Sequence, residues 1–218
     1  MVGDRTYDIH GAVVTMMVDP AVGETAESDE FAVTVCGWWP RYADAAVLDH
    51  YHDRITPVAQ ADKLIGMYKK WKDFGCKPIV GVEKGGYQAA LIHFTVERQR
   101  QAQTYFYVEP ISHGGQRKVR RIEALQPYYA NHQVIHLGDC GALESQLLGF
   151  QPKADGSTGL LHDDIIDSLA YHVKHWRGVN YAAKSDPNEG QDLQEWLENW
   201  TEKTKAETKP AYGLATTT

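Results

Sequence analysis

The sequence predicts an α/β protein with a mixed β-sheet, in which three antiparallel strands precede parallel strands and helices flank the sheet. Three short apolar runs follow one another between residues 12 and 51, as in an antiparallel meander. Beyond residue 57 helical and strand patterns alternate, which is typical of parallel strands joined by helices. Asp19 and Glu83 directly follow two of the strand patterns, at the strand ends where such sheets place functional groups.

The predicted strands are short, β-branched or apolar runs that end at turn residues. The first run, at 12–18, stops before Asp19-Pro20 because proline cannot continue a central strand. The other strands are predicted at 31–38, 45–51, 77–82, 105–108 and 134–137.

The predicted helices carry apolar residues at helical spacing. The segment 58–74 shows this spacing and ends at Gly75, a typical helix-ending residue. The remaining helices are predicted at 87–103, 119–129, 141–148 and 162–176. Residues 1–180 are therefore interpreted as one domain. Residues 181–218 are interpreted as an acidic C-terminal extension, helical at 191–200 and disordered towards its end.

Composition excludes several classes of protein. Of the 218 residues, 43% are hydrophobic and 23% charged, which is ordinary globular usage and not that of a disordered or collagen-like chain. The three cysteines are widely spaced, which predicts free thiols and argues against a cysteine zinc site. The sequence shows neither a signal-peptide pattern nor an apolar run long enough to span a bilayer.

Charge is segregated along the chain. The net charge of −7 argues at first against a nucleic-acid partner. However, residues 185–208 carry seven acidic residues and two lysines, whereas 98–121 carry six basic residues and one acid. The overall sign therefore does not exclude binding to nucleic acid.

Acidic residues at three places predict a metal site. If the strands before Asp19 and Glu83 are neighbours, the two carboxylates converge, and a helix opening with His162-Asp163-Asp164 and continuing to Asp167 can add a third. Carboxylate ligands without cysteine favour Mg²⁺ or Mn²⁺, and two such ions can promote phosphodiester hydrolysis. Taken singly, each acid is also explained as a turn or cap residue.

Four segments between residues 13 and 173 carry a family resemblance. They are MMVDPAVGETAESDEFAVTVCGWW (16–39), KPIVGVEKGGYQAALI (77–92), RKVRRIEALQPYYANHQVIHL (117–137) and ALESQLLGFQPKADGSTGLLHDDIIDSLAYHV (142–173). In combination, these segments resemble the C-terminal nuclease domain of the large terminase subunit of tailed bacteriophages, within the RNase H-like superfamily.

This resemblance implies a metal-dependent endonuclease that cuts concatemeric viral DNA during genome packaging in the host cell cytoplasm. The family's three catalytic and metal-binding positions fall on Asp19, Glu83 and Asp164, with Asp163 and Asp167 as further candidate ligands. Two Mg²⁺ or Mn²⁺ ions are the implied cofactors. The implied partners are double-stranded DNA, a terminase ATPase domain, a small terminase subunit and a portal, with no membrane.

Basic residues around a Gly-Gly loop are the candidate DNA contacts, since phosphate contacts supply most non-specific affinity. The candidates are Lys84, Arg117, Lys118, Arg120 and Arg121. Arg121 has an alternative interpretation, in which it pairs with Glu123 or with a core acid.

One feature of complete large terminases is missing from the sequence, because no segment matches the phosphate-binding pattern of an ATPase motor. The chain is therefore interpreted as an excised nuclease domain or a stand-alone relative. Two alternatives stay open: a Holliday-junction resolvase or RNase H-like nuclease, and a non-catalytic DNA-binding packaging module.

Helical periodicity gives a more detailed expectation for the last helix. Its apolar residues share one arc, and Asp164 and Asp167 lie on the opposite arc. Asp163 is the predicted N-cap, with its carboxylate bound to backbone N–H groups. Following the family, Asp164 is expected to bind metal while Asp163 caps or assists.

Overall fold

The structure, a computed structural model, describes residues 6–21, 29–85, 87–112 and 114–176. The predicted acidic extension at 181–218 lies outside the described residues. Within the described part of the chain, no helix combines the length and apolar character needed to cross a membrane.

A six-stranded mixed sheet forms the centre of the fold, with the strand order β5-β4-β1-β2-β3-β6. The strands are β1 (Val13–Asp19), β2 (Phe31–Trp39), β3 (Asp44–Asp53), β4 (Ile79–Glu83), β5 (Val108–Ile111) and β6 (Val134–His136). Strands β1, β2 and β3 pair antiparallel, while β4 is parallel to β1, β5 to β4 and β6 to β3. The predicted meander and the adjacency of β1 and β4 are therefore confirmed.

Six α-helices flank the sheet in the described ranges. They are α1 (Pro57–Asp73), α2 (Gln88–Ala102), α3 (Lys118–Glu123), α4 (Gln126–Ala130), α5 (Gly141–Gly149) and α6 (Asp164–Ala170). Short 3₁₀ turns occur at Ile9–Gly11 and, directly after α6, at Tyr171–Lys174.

Most of the predicted elements differ from the structure by at most two residues at either end, and three differ by more. The strand expected at 105–108 starts at Val108, because the ring of Phe106 stacks on Tyr68 with ring centroids 4.2 Å apart. The helix expected at 119–129 is divided into α3 and α4. Pro127 lies in the first turn of α4, where its missing N–H costs no helical bond. The helix expected at 162–176 begins at Asp164 and continues beyond Ala170 as a 3₁₀ turn.

The sheet is buried on both faces, which explains why its central strands are almost uniformly apolar. On one face Val14, Met16 and Val18 of β1 join a core with α1 and α2. On the other face β2 and β3 pack against helices α3 to α6, in a core that includes Trp38 and Trp176. The protein thus has three layers, with the sheet in the middle.

Strand alternation directs the strand-end acids to the α6 side of the sheet. Since Val14, Met16 and Val18 face α1 and α2, Asp19 points to the opposite face. By the same alternation Val80 and Val82 face α1 and α2, and Glu83 points towards α6. Both acids therefore lie on one face, at the carboxyl ends of two adjacent parallel strands.

A buried polar network joins the sheet to the segment after α6. The ring of His172 is fully buried between two threonines, with Nδ1 2.6 Å from Thr15 Oγ1 and Nε2 2.9 Å from Thr34 Oγ1. The hydroxyl of Thr15 donates to the carbonyl of Cys36, so it accepts from Nδ1–H, and the hydroxyl of Thr34 donates to Nε2. His172 is therefore neutral in the folded protein.

We expect His172 to make the protein less stable in acid. Burial lowers the pKa of His172 to about 3 from an ordinary value of 6.5. Between these values the unfolded chain binds a proton that the folded protein excludes, so the free energy of unfolding falls as the pH drops below about 6.5. The contribution approaches at most about 1.4 kcal/mol per pH unit. Urea unfolding between about pH 7 and pH 4 should give a shallower slope for His172→Gln than for wild type.

Burial also lowers the pKa values of His50 and His175, which contribute to the slope in every variant. The informative quantity is therefore the difference in slope between wild type and His172→Gln. The same substitution at exposed His93 is the matched control. Equal slopes for wild type and His172→Gln would contradict the assignment.

Candidate metal and nuclease site

Asp19 and Glu83 end two neighbouring parallel strands, and the pairing of those strands brings their carboxylates together. The last paired residues of the two strands are Val18 of β1 and Val82 of β4, so Asp19 and Glu83, which come next and end their strands, lie at the same level. Asp19 is buried and Glu83 is half-buried. The predicted convergence of the two acids is present in the structure.

The third carboxylate of this group belongs to Asp167. One ligand oxygen from each of Asp19, Glu83 and Asp167 lies within 4.8 Å of the others. Asp164, which the family resemblance assigns as the third ligand, is not part of this group. Among the described residues the acidic cluster (Asp19, Glu83 and Asp167) therefore combines two strands and helix α6.

Helix α6 is buried all round, contrary to the expectation that its acids lie on a face away from the core. All seven of its residues are buried, because the helix packs on β1 and β2 and also against α3 and α5. Spacing does not single out Asp167, because it lies four residues after Asp163 and three after Asp164 and so shares a helix face with each of them.

Arg121 fixes the carboxylate of Asp167. From α3, its Nη2 donates to both oxygens of Asp167 at 2.8 and 2.9 Å, and its Nε donates at 3.2 Å. The same Nη2 lies 3.9 Å from Glu83 Oε1. The side chain of Arg121 is 10% exposed and that of Asp167 is fully buried, so this forked pair is largely shielded from water. The alternative interpretation of Arg121 as the partner of a core acid is the one the structure shows.

Lys118, one turn earlier in α3, bridges two acids of α6. Its Nζ lies 2.8 Å from Asp163 Oδ1 and 3.2 Å from Asp167 Oδ2. The other oxygen of Asp163 accepts from Thr158 Oγ1 at 2.6 Å. Asp163 occupies the N-cap position, but the prediction that its carboxylate caps the helix is wrong.

The first helical N–H groups of α6 have a different acceptor. Those of Ile165 and Ile166 both donate to Gln146 Oε1, each at 3.1 Å. Because this glutamine from α5 satisfies them, the carboxylate of Asp163 is left for Lys118 and Thr158. Sequence periodicity cannot reveal such a cap, since Gln146 is about twenty residues away.

Asp164 contacts the beginning of β2 instead of the acidic cluster. Its Oδ2 accepts from the backbone N–H of Glu30 at 3.2 Å. The carboxylate of Glu30 pairs with Arg54 at 2.8 Å and with His52 at 2.8 Å. Asp164 thereby joins α6 to the chain that enters β2.

Burial and like charges perturb the pKa values of these acids. Burial, and then the charges of Asp167 and Glu83, raise the pKa of Asp19 well above its ordinary value. Burial raises the pKa of Asp164 to about 6, against the smaller opposing effect of the Glu30 N–H. Burial alone would lower the pKa of Lys118, but the charges of Asp167 and Asp19 raise it above its ordinary value. The acidic cluster therefore needs positive charge to remain ionised.

The donor set fits a hard divalent cation. All three members of the acidic cluster offer carboxylate oxygens, and their spacing allows one cation to contact more than one of them. Mg²⁺ and Mn²⁺ prefer such ligands. The three cysteines are free and buried, so none of them competes as a ligand.

The five candidate DNA-contacting residues fall into two groups. Lys84 and Arg117 are exposed, and Lys84 directly follows Glu83. Lys118 and Arg121 contact the carboxylates of α6, and Arg120 pairs with Glu123 at 2.9 Å while staying 73% exposed. Lys84 and Arg117 are therefore the members best placed for phosphate.

Comparison with solved structures identifies the fold. The chain is similar to the human cytomegalovirus terminase nuclease domain, solved after an Mn soak with an inhibitor bound, with a TM-score of 0.52 and 14% identity over 74% of this chain and 81% of that one. The g2p (large terminase) nuclease domain from the bacteriophage SPP1, with bound Mn, aligns with a TM-score of 0.43 and 10% identity over 74% of this chain and 85% of that one. No protein-family model and no curated protein matches the chain. The likeness to the cytomegalovirus domain confirms the predicted RNase H-like α/β class and a terminase-nuclease-like fold.

We expect Mn²⁺ and Mg²⁺ to raise the melting temperature, because they bind the native acidic cluster and relieve its repulsion. At about 100 times the dissociation constant, binding adds about 2.7 kcal/mol to the free energy of unfolding. Asp19→Asn should raise the melting temperature of the metal-free protein and abolish the shift with metal, because it removes a buried charge that is also a ligand.

Asp73→Asn, at the end of α1, removes the same charge from an exposed position and should behave as wild type. Scanning calorimetry of the three proteins with and without Mn²⁺ measures both effects. Equal metal shifts in wild type and Asp19→Asn would show that the ions bind elsewhere.

Proposed function

Given its terminase-nuclease-like fold, we propose that the protein is a divalent-metal-dependent endonuclease that hydrolyses phosphodiester bonds in DNA. The observation that carries the proposal is the convergence of Asp19, Glu83 and Asp167 within 4.8 Å, on one face of the sheet and at the carboxyl ends of β1 and β4. Desolvated like charges cost stability, and the neighbouring cations Lys118 and Arg121 offset only part of that cost. A cation-binding role accounts for that cost.

The proposed biological role is the cutting of concatemeric viral DNA during genome packaging in the host cytoplasm. The fold shared with the cytomegalovirus terminase nuclease domain supports this role, as do the sequence segments that resemble large terminases. The proposed partners are double-stranded DNA, a terminase ATPase domain, a small terminase subunit and a portal.

Two Mg²⁺ or Mn²⁺ ions are the proposed cofactors, and the Mn soak of the cytomegalovirus domain supports the choice of metal. Bound at the acidic cluster, such ions would offset the negative charge that develops on the phosphate oxygens during hydrolysis. Asp19 and Glu83 would hold them from the strands and Asp167 from α6.

The neighbouring residues keep these ligands in place. Arg121 holds both oxygens of Asp167, so this carboxylate cannot rotate away from the strand acids. The hydroxyl of Tyr171 donates to Asp167 Oδ2 at 3.4 Å. Such outer contacts orient metal ligands, and their loss commonly costs about 10- to 100-fold in metal affinity or activity.

Asp164 and Asp167 are competing assignments for the third ligand. The family resemblance favours Asp164, whereas the geometry favours Asp167, because Asp164 is bound to the Glu30 N–H. We propose Asp167 as the ligand and Asp164 as the residue that holds the start of β2 against α6.

Cleavage of supercoiled plasmid in Mn²⁺ or Mg²⁺ distinguishes these assignments. Asp19→Asn, Glu83→Gln and Asp167→Asn should each reduce the rate at least about a hundredfold, more than the loss of an outer contact. Asp164→Asn, which keeps an acceptor for the Glu30 N–H, should retain most of the activity. The rates follow from the conversion of supercoiled to nicked and linear DNA on gels.

Asp73→Asn is the matched control, and every variant is checked for folding by circular dichroism. Full cutting in EDTA would overturn the proposal, as would full activity in a folded Asp19→Asn protein. Preferential cutting of four-way junctions or RNA–DNA hybrids over linear duplex would replace the packaging role with that of a resolvase or an RNase H-like enzyme.

DNA binding should depend on Lys84 and Arg117, which are exposed and adjoin Glu83 and Lys118 in the sequence. Each lost phosphate contact reduces the slope of log affinity against log salt by about 0.9. Lys84→Met combined with Arg117→Met should therefore flatten the slope by about 2 in fluorescence anisotropy titrations. Lys69→Met with Lys72→Met, on α1 across the sheet, removes the same charge and should leave the slope unchanged.

A further inference from the structure

Lys118 differs from Arg121 in how it contacts the acids. Arg121 is a planar fork, 10% exposed, that fills both oxygens of one carboxylate. Lys118 has a 37% exposed side chain, and its single ammonium touches Asp163 at 2.8 Å and Asp167 at 3.2 Å. The ammonium of Lys118 is a compact charge on a flexible side chain, so it can move away from the carboxylates without a change in the backbone. The planar guanidinium of Arg121 is held in place by its hydrogen bonds to both oxygens of Asp167.

The ammonium of Lys118 also lies beside the acidic cluster, close enough to repel a cation bound there. It contacts Asp167, which shares the cluster with Asp19 and Glu83. The attraction between Asp19 and this ammonium stabilises the charged form of both groups. Lys118 therefore supplies part of the positive charge that the cluster needs before any ion arrives.

In the DNA-free protein, the formal charge of the site limits the number of divalent ions that it binds. Four carboxylates, from the acidic cluster and Asp163, face the two cationic side chains Lys118 and Arg121, which leaves a formal charge of −2. One divalent ion neutralises that charge. A second ion would give an excess of positive charge in a partly desolvated site unless the ammonium withdrew or a phosphate arrived.

Building on the proposed function, we propose that Lys118 is an internal counter-cation that restricts the DNA-free site to one tightly bound divalent ion. The second ion binds well only after the ammonium leaves Asp167. An incoming phosphate carries negative charge, so it both attracts the ammonium and lowers the cost of the second ion. The complete set of cations is then assembled only in the presence of nucleic acid.

Isothermal titration of the full 218-residue chain with Mn²⁺, without DNA, tests this proposal. Wild type should show one strong binding event and a much weaker second one. Lys118→Met should strengthen the second event at least about tenfold, because it removes a unit charge a few ångströms from the ligands. Lys118→Arg keeps the charge and should retain the wild-type isotherm.

Lys72→Met is the matched control for charge, since Lys72 is exposed on α1 at the far side of the sheet, and it should titrate as wild type. If Lys118→Met does not fold, Lys118→Gln removes the charge while keeping a hydrogen-bond donor for Asp163. Identical isotherms for wild type and the folded neutral variant would overturn the proposal. Loss of Mn²⁺ binding in the neutral variant would also overturn it, since Lys118 would then position the ligands instead of competing with the ion.

Failure of the proposed function has a different signature. If Asp19→Asn leaves the strong event unchanged, the acidic cluster is not the cation site at all. If Asp19→Asn abolishes the strong event while Lys118→Met titrates as wild type, the cation site stands and the role of Lys118 falls.

Discussion

Repulsion among Asp19, Glu83 and Asp167 is the constraint to which the surrounding structure responds. Parallel pairing of β1 with β4 places two of these acids side by side, and α6 adds the third. Without compensation this arrangement would favour protonation of the acids or separation of the elements that carry them. Helix α3 supplies the compensation, because both of its inward cations lie against the acids of α6. The six-residue helix α3 thus carries both of the cations that contact these acids.

Helix α6 is held on the sheet by polar contacts as well as by its apolar residues. Gln146 accepts from two N–H groups in its first turn, and Ser168 lies 3.2 Å from Thr34 on β2. Just beyond the helix, His172 connects to β1 and β2 through the two threonines. Buried polar groups with complete partners fix one arrangement more strictly than apolar packing does. These contacts hold α6 against the sheet and position Asp167 beside the strand acids.

The two cationic side chains of α3 differ in how firmly they are held. Arg121 is enclosed and bidentate, so it belongs to the framework of the site. Lys118 is more exposed and holds two different carboxylates through one atom, so its position depends on the charge around it. For the proposed endonuclease, this difference would tie the complete set of cations to the DNA-bound state.

Much of this protein is determined by its sequence alone. Alternating and uniformly apolar runs predicted the meander and the parallel strands. The positions of Asp19 and Glu83 at the ends of two predicted strands marked them as candidate ligands. Which of Asp163, Asp164 and Asp167 lies beside the two strand acids was decided only by the tertiary structure. A prediction from helical periodicity requires that one face of the helix be buried and the other exposed. Helix α6 is enclosed by the sheet, α3 and α5, so the pattern of apolar residues does not show which acid faces the strands. The partners that orient these acids, Gln146, Lys118 and Arg121, are distant in sequence and meet them only when the helices pack.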